Sequence, residues 1–125
     1  MVEFRPEQIS GAIVTGFTRT GFKAGESRFD GGLLLTPENA IAWDAPRWEH
    51  LDLVTILQAM ALPRPPEFLL LGSGQTLIQP TAALRSAAAI AEIGLETMDS
   101  RAAARTWGLL RAEERWIAAA LLPFG

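Results

Sequence analysis

Over the first third of the chain the apolar positions come in short clusters broken by glycine. Ala12-Ile13-Val14 and Gly32-Leu33-Leu34-Leu35-Thr36 are the apolar pieces between residues 9 and 43, a pattern that predicts a small antiparallel sheet. The turn Thr36-Pro37-Glu38-Asn39 presets one φ with proline and ends on an asparagine that tolerates left-handed geometry. It predicts a hairpin joining residues 33–35 to 40–43. Leu51, Val54, Leu57 and Ala61 then recur at three- and four-residue steps, marking a short amphipathic helix that stops before Pro63-Arg64-Pro65-Pro66.

Beyond the prolines the period switches repeatedly. Phe68-Leu69-Leu70-Leu71 predicts a buried strand, 81–93 a helix, 95–98 a strand, 100–113 a helix and 116–121 a strand, giving β-α-β-α-β. Thr81 is placed to cap the first of these helices, Leu84, Ala87, Ala88 and Ala91 form its inner stripe, and Gly94 supplies the left-handed residue that closes it. An uninterrupted apolar strand such as Leu69-Leu70-Leu71 is buried on both faces of its sheet, which requires layers above and below. The expected fold is therefore a three-layer α/β arrangement. A mixed β-sheet, a small N-terminal antiparallel β portion and the C-terminal β-α-β-α-β portion make one domain over residues 1–125.

Composition narrows the function classes. At 125 residues, 49% hydrophobic and 20% charged, the chain can bury a core without disulfide or metal staples, and it has no cysteine. A net charge of −3 is too acidic for a nucleic-acid binder that works by phosphate neutralisation. Lys23 is the only lysine, and the many arginines and alanines match the codon bias of a GC-rich genome, so arginine abundance alone is no sign of anion binding. Met1-Val2-Glu3-Phe4-Arg5-Pro6-Glu7 lacks the basic and apolar regions of a secretory signal. The longest largely apolar stretch, 116–124, is about half the roughly 20 residues that a membrane helix requires. A soluble, cytoplasmic protein is expected.

Two places could carry chemistry. Gly72-Ser73-Gly74 follows a buried strand, where open α/β folds bind ligands, but Leu77 stands where a dinucleotide fingerprint needs its third glycine. The glycines also fit a tight turn that needs their torsions. Ser73 lacks the flanking glycines of a nucleophile elbow, with Leu71 and Gln75 in those places. The only histidine, His50, stands between Glu49 and Asp52 as a solvated helix-start residue. One histidine and no cysteine leave no metal site, and no cofactor is expected.

The second place is Met98-Asp99-Ser100-Arg101-Ala102-Ala103-Ala104-Arg105-Thr106-Trp107, where a strand gives way to a helix. Asp99 or Ser100 caps that helix, whereas Arg101 in its first turn opposes the macrodipole at a cost of about 0.3–1 kcal/mol, and Arg105 adds like charge one turn on. Something negative is expected there: Asp99, Glu96, an acid of the N-terminal half, or an external anion or partner carboxylate. Trp107 fits both a core residue and an interface hot spot, and Gly108 inside the helix implies close packing or a kink.

Leu69-Leu70-Leu71-Gly72-Ser73-Gly74, Leu84-Arg85, Gly94, Met98-Asp99-Ser100, Ala103, Arg105-Thr106-Trp107, Leu110, Glu113, Arg115 and Ala118-Ala119-Ala120-Leu121-Leu122-Pro123 together resemble the small Mth-type domain of unknown function. Phe22, Gly31-Gly32-Leu33-Leu34 and Trp43 match that family's N-terminal sheet. Its relatives include the mitochondrial NADH dehydrogenase (complex I) assembly factor 3 and an adipogenesis-associated protein. This chain departs from the family at Trp107-Gly108, where tyrosine and asparagine are more usual, and at Glu114, where glycine is common. The resemblance implies a three-layer fold around a mixed sheet, no established reaction, and for the mitochondrial relatives a role in assembling a respiratory complex. Two functions follow as expectations. One is a non-catalytic protein-interaction module with an unidentified protein partner, assembly-factor-like. The other is a small-anion or metabolite site, enzymatic or not, built from Gly72, Ser73, Gly74, Arg85, Asp99, Arg101 and Arg105 with Trp107 beside them.

Overall fold

The computed structural model describes residues 13–124; Ala12 and the Met1–Glu7 segment considered above lie outside them. The elements run β1 (Gly16–Phe17), β2 (Phe22–Ala24), β3 (Ser27–Phe29), β4 (Gly32–Leu35), β5 (Ala40–Trp43), a 3-10 turn (Trp48–His50), α1 (Leu53–Met60), β6 (Phe68–Gly72), α2 (Ala82–Ala91), β7 (Gly94–Met98), α3 (Ser100–Arg111) and β8 (Ala118–Leu121). β1, β2 and β3 form a small antiparallel sheet, and a second sheet has the order β5-β4-β8-β6-β7. In this second sheet β4 runs antiparallel to β5 and β8, while β6 runs parallel to β7 and β8, so it is mixed.

The period-2 alternation of strand side chains sorts the core into two clusters, one on each face. Leu34, Leu69, Leu71, Ala118 and Ala120 pack with Leu53, Ile56 and Met60 of α1 and Leu84 and Ala88 of α2. Leu33, Leu35, Leu70, Ala119 and Leu121 pack with Ala103, Ala104 and Trp107 of α3 and with Phe22 of the small sheet. The expected layers above and below are thus present. The central strand β8 is wholly buried and mostly alanine, leaving room for α2 and α3 to approach from opposite sides.

The local details depart from expectation where a single residue decides them. The predicted hairpin pairs Leu35 with Ala40, yet Asn39 keeps a negative φ. The turn is held instead by the Thr36 hydroxyl, which accepts from the N–H groups of Glu38 (3.1 Å) and Asn39 (2.8 Å). In α1 the buried stripe is Leu53, Ile56 and Met60; Val54 faces solvent and Ala61 is the left-handed cap. Asp52 sets this phase by accepting from both the N–H (3.0 Å) and the hydroxyl (2.7 Å) of Thr55, bonds that hold its carboxyl below the usual carboxylate range.

Thr81 caps α2 as expected, whereas Ala91 is exposed and Gly94 does not close the helix. Glu92 takes the left-handed position at φ +61° and Gly94 opens β7, where an added Cβ would lie 3.0 Å from Cβ of Phe68. A side chain in left-handed geometry costs roughly 1–2 kcal/mol that glycine avoids, offset in part by glycine's greater chain entropy. Glu92→Gly is therefore expected to raise stability by about 0.5 kcal/mol in urea denaturation, with the m-value unchanged; a loss of stability would show that the Glu92 side chain contributes more than its torsion costs.

Candidate functional site at the start of α3

The Gly72–Gly74 loop is fastened to its surroundings at every residue. Gly72 C=O accepts from Leu122 N–H (2.9 Å), Ser73 N–H donates to Met98 C=O (2.8 Å), and Gly74 C=O accepts from Ser100 N–H (2.8 Å). The buried Ser73 hydroxyl donates to Thr76 C=O (2.6 Å) and accepts from Ile78 N–H (3.1 Å). Gly72 has no room for a side chain, since a Cβ there would stand 2.8 Å from Ser100 Oγ, and Gly74 adopts φ +95°. Both glycines answer needs of the backbone, and the N–H groups of Ser73 and Gly74 are bonded within the fold.

The partner of this loop is Ser100, which the sequence singled out only as a possible cap. Its buried hydroxyl accepts from Gly74 N–H (2.8 Å) and donates to Leu122 C=O (2.7 Å), joining the ends of β6 and β8 to the first residue of α3. Asp99 is the cap, accepting from Ala102 N–H at 2.9 Å.

Arg101 points outward from this knot. Among the described residues no carboxylate pairs with it or with Arg105, so the expected internal acid is absent there: Asp99 caps the helix and Glu96 lies on β7. The Arg101 charge is met by aromatic faces. Its guanidinium lies 4.1 Å from the ring centroid of Phe124 and 5.5 Å from that of Phe17. Those rings pack with Phe22 at centroid separations of 5.2–6.2 Å. The negative ring faces supply what the helix start withholds. Arg105 is exposed one turn on, and Leu109, 72% exposed, follows it at the next.

Two residues of the expected site lie elsewhere. Trp107 is fully buried against the sheet, with the Arg111 guanidinium 5.8 Å from its ring, so it belongs to the core and is closed to a ligand or partner. Arg85 sits on α2, across the sheet from α3, and its Nη1 donates to Pro80 C=O at 2.7 Å. The structure thus gathers Gly72, Ser73, Gly74 and Asp99 around Ser100, with Arg101 and Arg105 on the neighbouring surface. Gly108 is not held by close packing: an added Cβ would meet only Cγ2 of Ile13, at the ordinary contact distance of 3.7 Å.

A cleft of about 500 Å³ that the sequence reading missed opens between β6, β7 and α3. Phe68, Leu70, Met98 and Leu110 give it an apolar lining, Thr106 donates to Met98 Sδ at 3.3 Å, and Glu67, Glu96 and Arg115 stand among its residues. Arg115 reaches Glu67 at 3.1 Å and lies 5.3 Å from the Phe68 ring. Leu70, Gly94, Met98, Thr106, Leu110 and Arg115 are all among the residues that carry the family resemblance. They are scattered along the sequence, and only the fold brings them to one place. No group of three or more metal-ligating side chains occurs among the described residues, and no helix there is long and apolar enough to cross a membrane.

These contacts predict a graded response to substitution. Ser100→Ala strands a buried N–H and C=O and is expected to cost about 1–3 kcal/mol, whereas Arg101→Gln loses about 0.5–1 kcal/mol of cation–π attraction and Arg105→Gln stays within about 0.5 kcal/mol. Urea denaturation of the three variants checks the order; Arg105→Gln costing as much as Arg101→Gln would overturn the aromatic assignment.

The fold recurs among known proteins. No curated protein matches the chain. Among solved structures, the crystal structure of a Bordetella parapertussis protein superimposes with a TM-score of 0.80 at 30% identity, covering 91% of this chain and 97% of that one. The solution structure of a Bordetella pertussis protein described as a Mth938-like domain gives 0.76 at 23% identity over 98% and 91% of the two chains. The crystal structure of a Bartonella henselae protein described as an outer membrane protein gives 0.76 at 23% over 94% and 98%. The last two likenesses show a shared fold. The family described as "Protein of unknown function (DUF498/DUF598)" matches residues 14–122, and the chain belongs to it.

Proposed function

We propose that this chain is a non-catalytic protein-interaction module whose outer α3 face receives an acidic surface of another protein. One observation carries the reading: Arg101, Arg105 and Leu109 follow one another at four-residue steps on the exposed face of α3, and although aromatic rings meet Arg101 from within, no carboxylate among the described residues pairs with either guanidinium. Two cations ending on an exposed leucine have the chemistry of a rim charge beside an apolar anchor. The resemblance read in the sequence, to a family whose relatives include the complex I assembly factor 3, supports a partner that is a subunit of a respiratory or membrane complex and a module that acts in the cytoplasm.

The test is affinity capture from native lysate with the wild-type chain and the Arg101→Ala/Arg105→Ala variant. A stoichiometric partner is expected on the wild type, released by high salt and weakened about tenfold or more by the double variant. Equal capture by both overturns the reading. A thermal-shift screen against phosphates, nucleotides and carboxylates is expected to be flat. A saturable rise, about 2.7 kcal/mol at 100 times the dissociation constant, would instead favour a small-anion site.

A further inference from the structure

We propose that the outer edge of β7 and the cleft beside it bind an extended basic segment of another protein, added to the sheet as a further strand. This goes beyond the α3 face and involves a different surface. β7 is the terminal strand of its sheet. Gly94 N–H donates to Glu67 C=O (3.2 Å) and Met98 C=O accepts from Ser73 N–H (2.8 Å), so the backbone groups of alternate residues point inward to β6. Those of Leu95 and Thr97 consequently face outward, and nothing among the described residues bonds them. An added strand would find two donors and two acceptors in register.

Its side chains on the α3 side would meet the cleft. Gly94 puts no side chain in the way, so a bulky apolar group opposite it can pass over β7 onto Phe68 and Leu110. Two residues along the strand, on the same face, stands Glu96, exposed and with no partner among the described residues. Among the charged residues lining the cleft Glu67 and Glu96 outnumber Arg115, which already pairs with Glu67 and also reaches Glu113, outside the lining, at 3.9 Å. The unanswered charge is negative. The matching ligand therefore carries lysine or arginine two residues from an aromatic or large aliphatic side chain in extended conformation. A second copy of this chain fits badly, because pairing two β7 edges about their middle sets Glu96 against Glu96.

The probe is the capped peptide Thr-Lys-Thr-Phe-Thr-Lys-Thr, titrated into the nitrogen-15-labelled full chain. Expected are amide shift changes and slowed hydrogen exchange centred on Leu95 and Thr97. Binding should weaken about tenfold in Glu96→Lys and for a probe with glutamate in place of lysine. Thr97→Pro removes only an outward N–H, a change an edge strand tolerates, and is expected to abolish the protection. The proposal is overturned if the glutamate probe binds equally well, if shift changes avoid residues 95–97, or if Thr97→Pro leaves binding intact, which would indicate a pocket for an isolated aromatic group. Concentration-dependent broadening along β7 without peptide would overturn it in favour of self-association. Should Thr97→Pro fail to fold, the Glu96→Lys comparison decides.

Discussion

A single buried hydroxyl holds three segments of this protein together at the start of α3. Ser100 accepts from the loop after β6 and donates to the chain leaving β8, while its own N–H donates to Gly74. Because a stranded polar group in the interior costs more than a made hydrogen bond contributes, the three segments have one favourable arrangement. Everything displayed at this end follows from it. Arg101 is adjacent to the anchored residue, Phe124 lies two residues beyond the bonded carbonyl, and α3, which starts at Ser100, lends Thr106 and Leu110 to the cleft.

The architecture was legible because its determinants are local and repetitive. Leu69-Leu70-Leu71 announces burial on both faces, Thr81 and Asp99 announce helix starts, and the 36–39 turn fixes a hairpin. What was not legible depends on a choice between near-equivalent residues. Val54 and Leu53 differ little in composition, and the cap at Asp52 decides which is buried. Glycine is the usual left-handed residue, so Gly94 was the natural candidate, but the helix ends two residues earlier and Glu92 takes the strain.

The site was partly legible for a related reason. The sequence marks Arg101 as a charge needing an answer, but the answer comes from Phe17 and Phe124, distant in sequence and both apolar. A search for acids could not find it. Trp107 carries the composition of a hot spot, yet its position on the inner stripe of α3 settles its burial. The cleft escaped notice because its lining comes from two strands and a helix, each residue of which is explained by packing when taken singly.

The sheet order has a consequence for how the molecule comes into being. β8, the last strand among the described residues, lies between β4 and β6, so the β4–β5 hairpin and the β6–α2–β7 unit have no shared hydrogen-bonded neighbour until it arrives. During synthesis both fragments present open apolar edges while the ribosome still holds residues 118–121. Long-range pairing of this kind closes slowly and leaves the nascent chain open to wrong associations. The alanines of β8 suit a strand that joins its two neighbours last, since small side chains ask least of layers that are already forming.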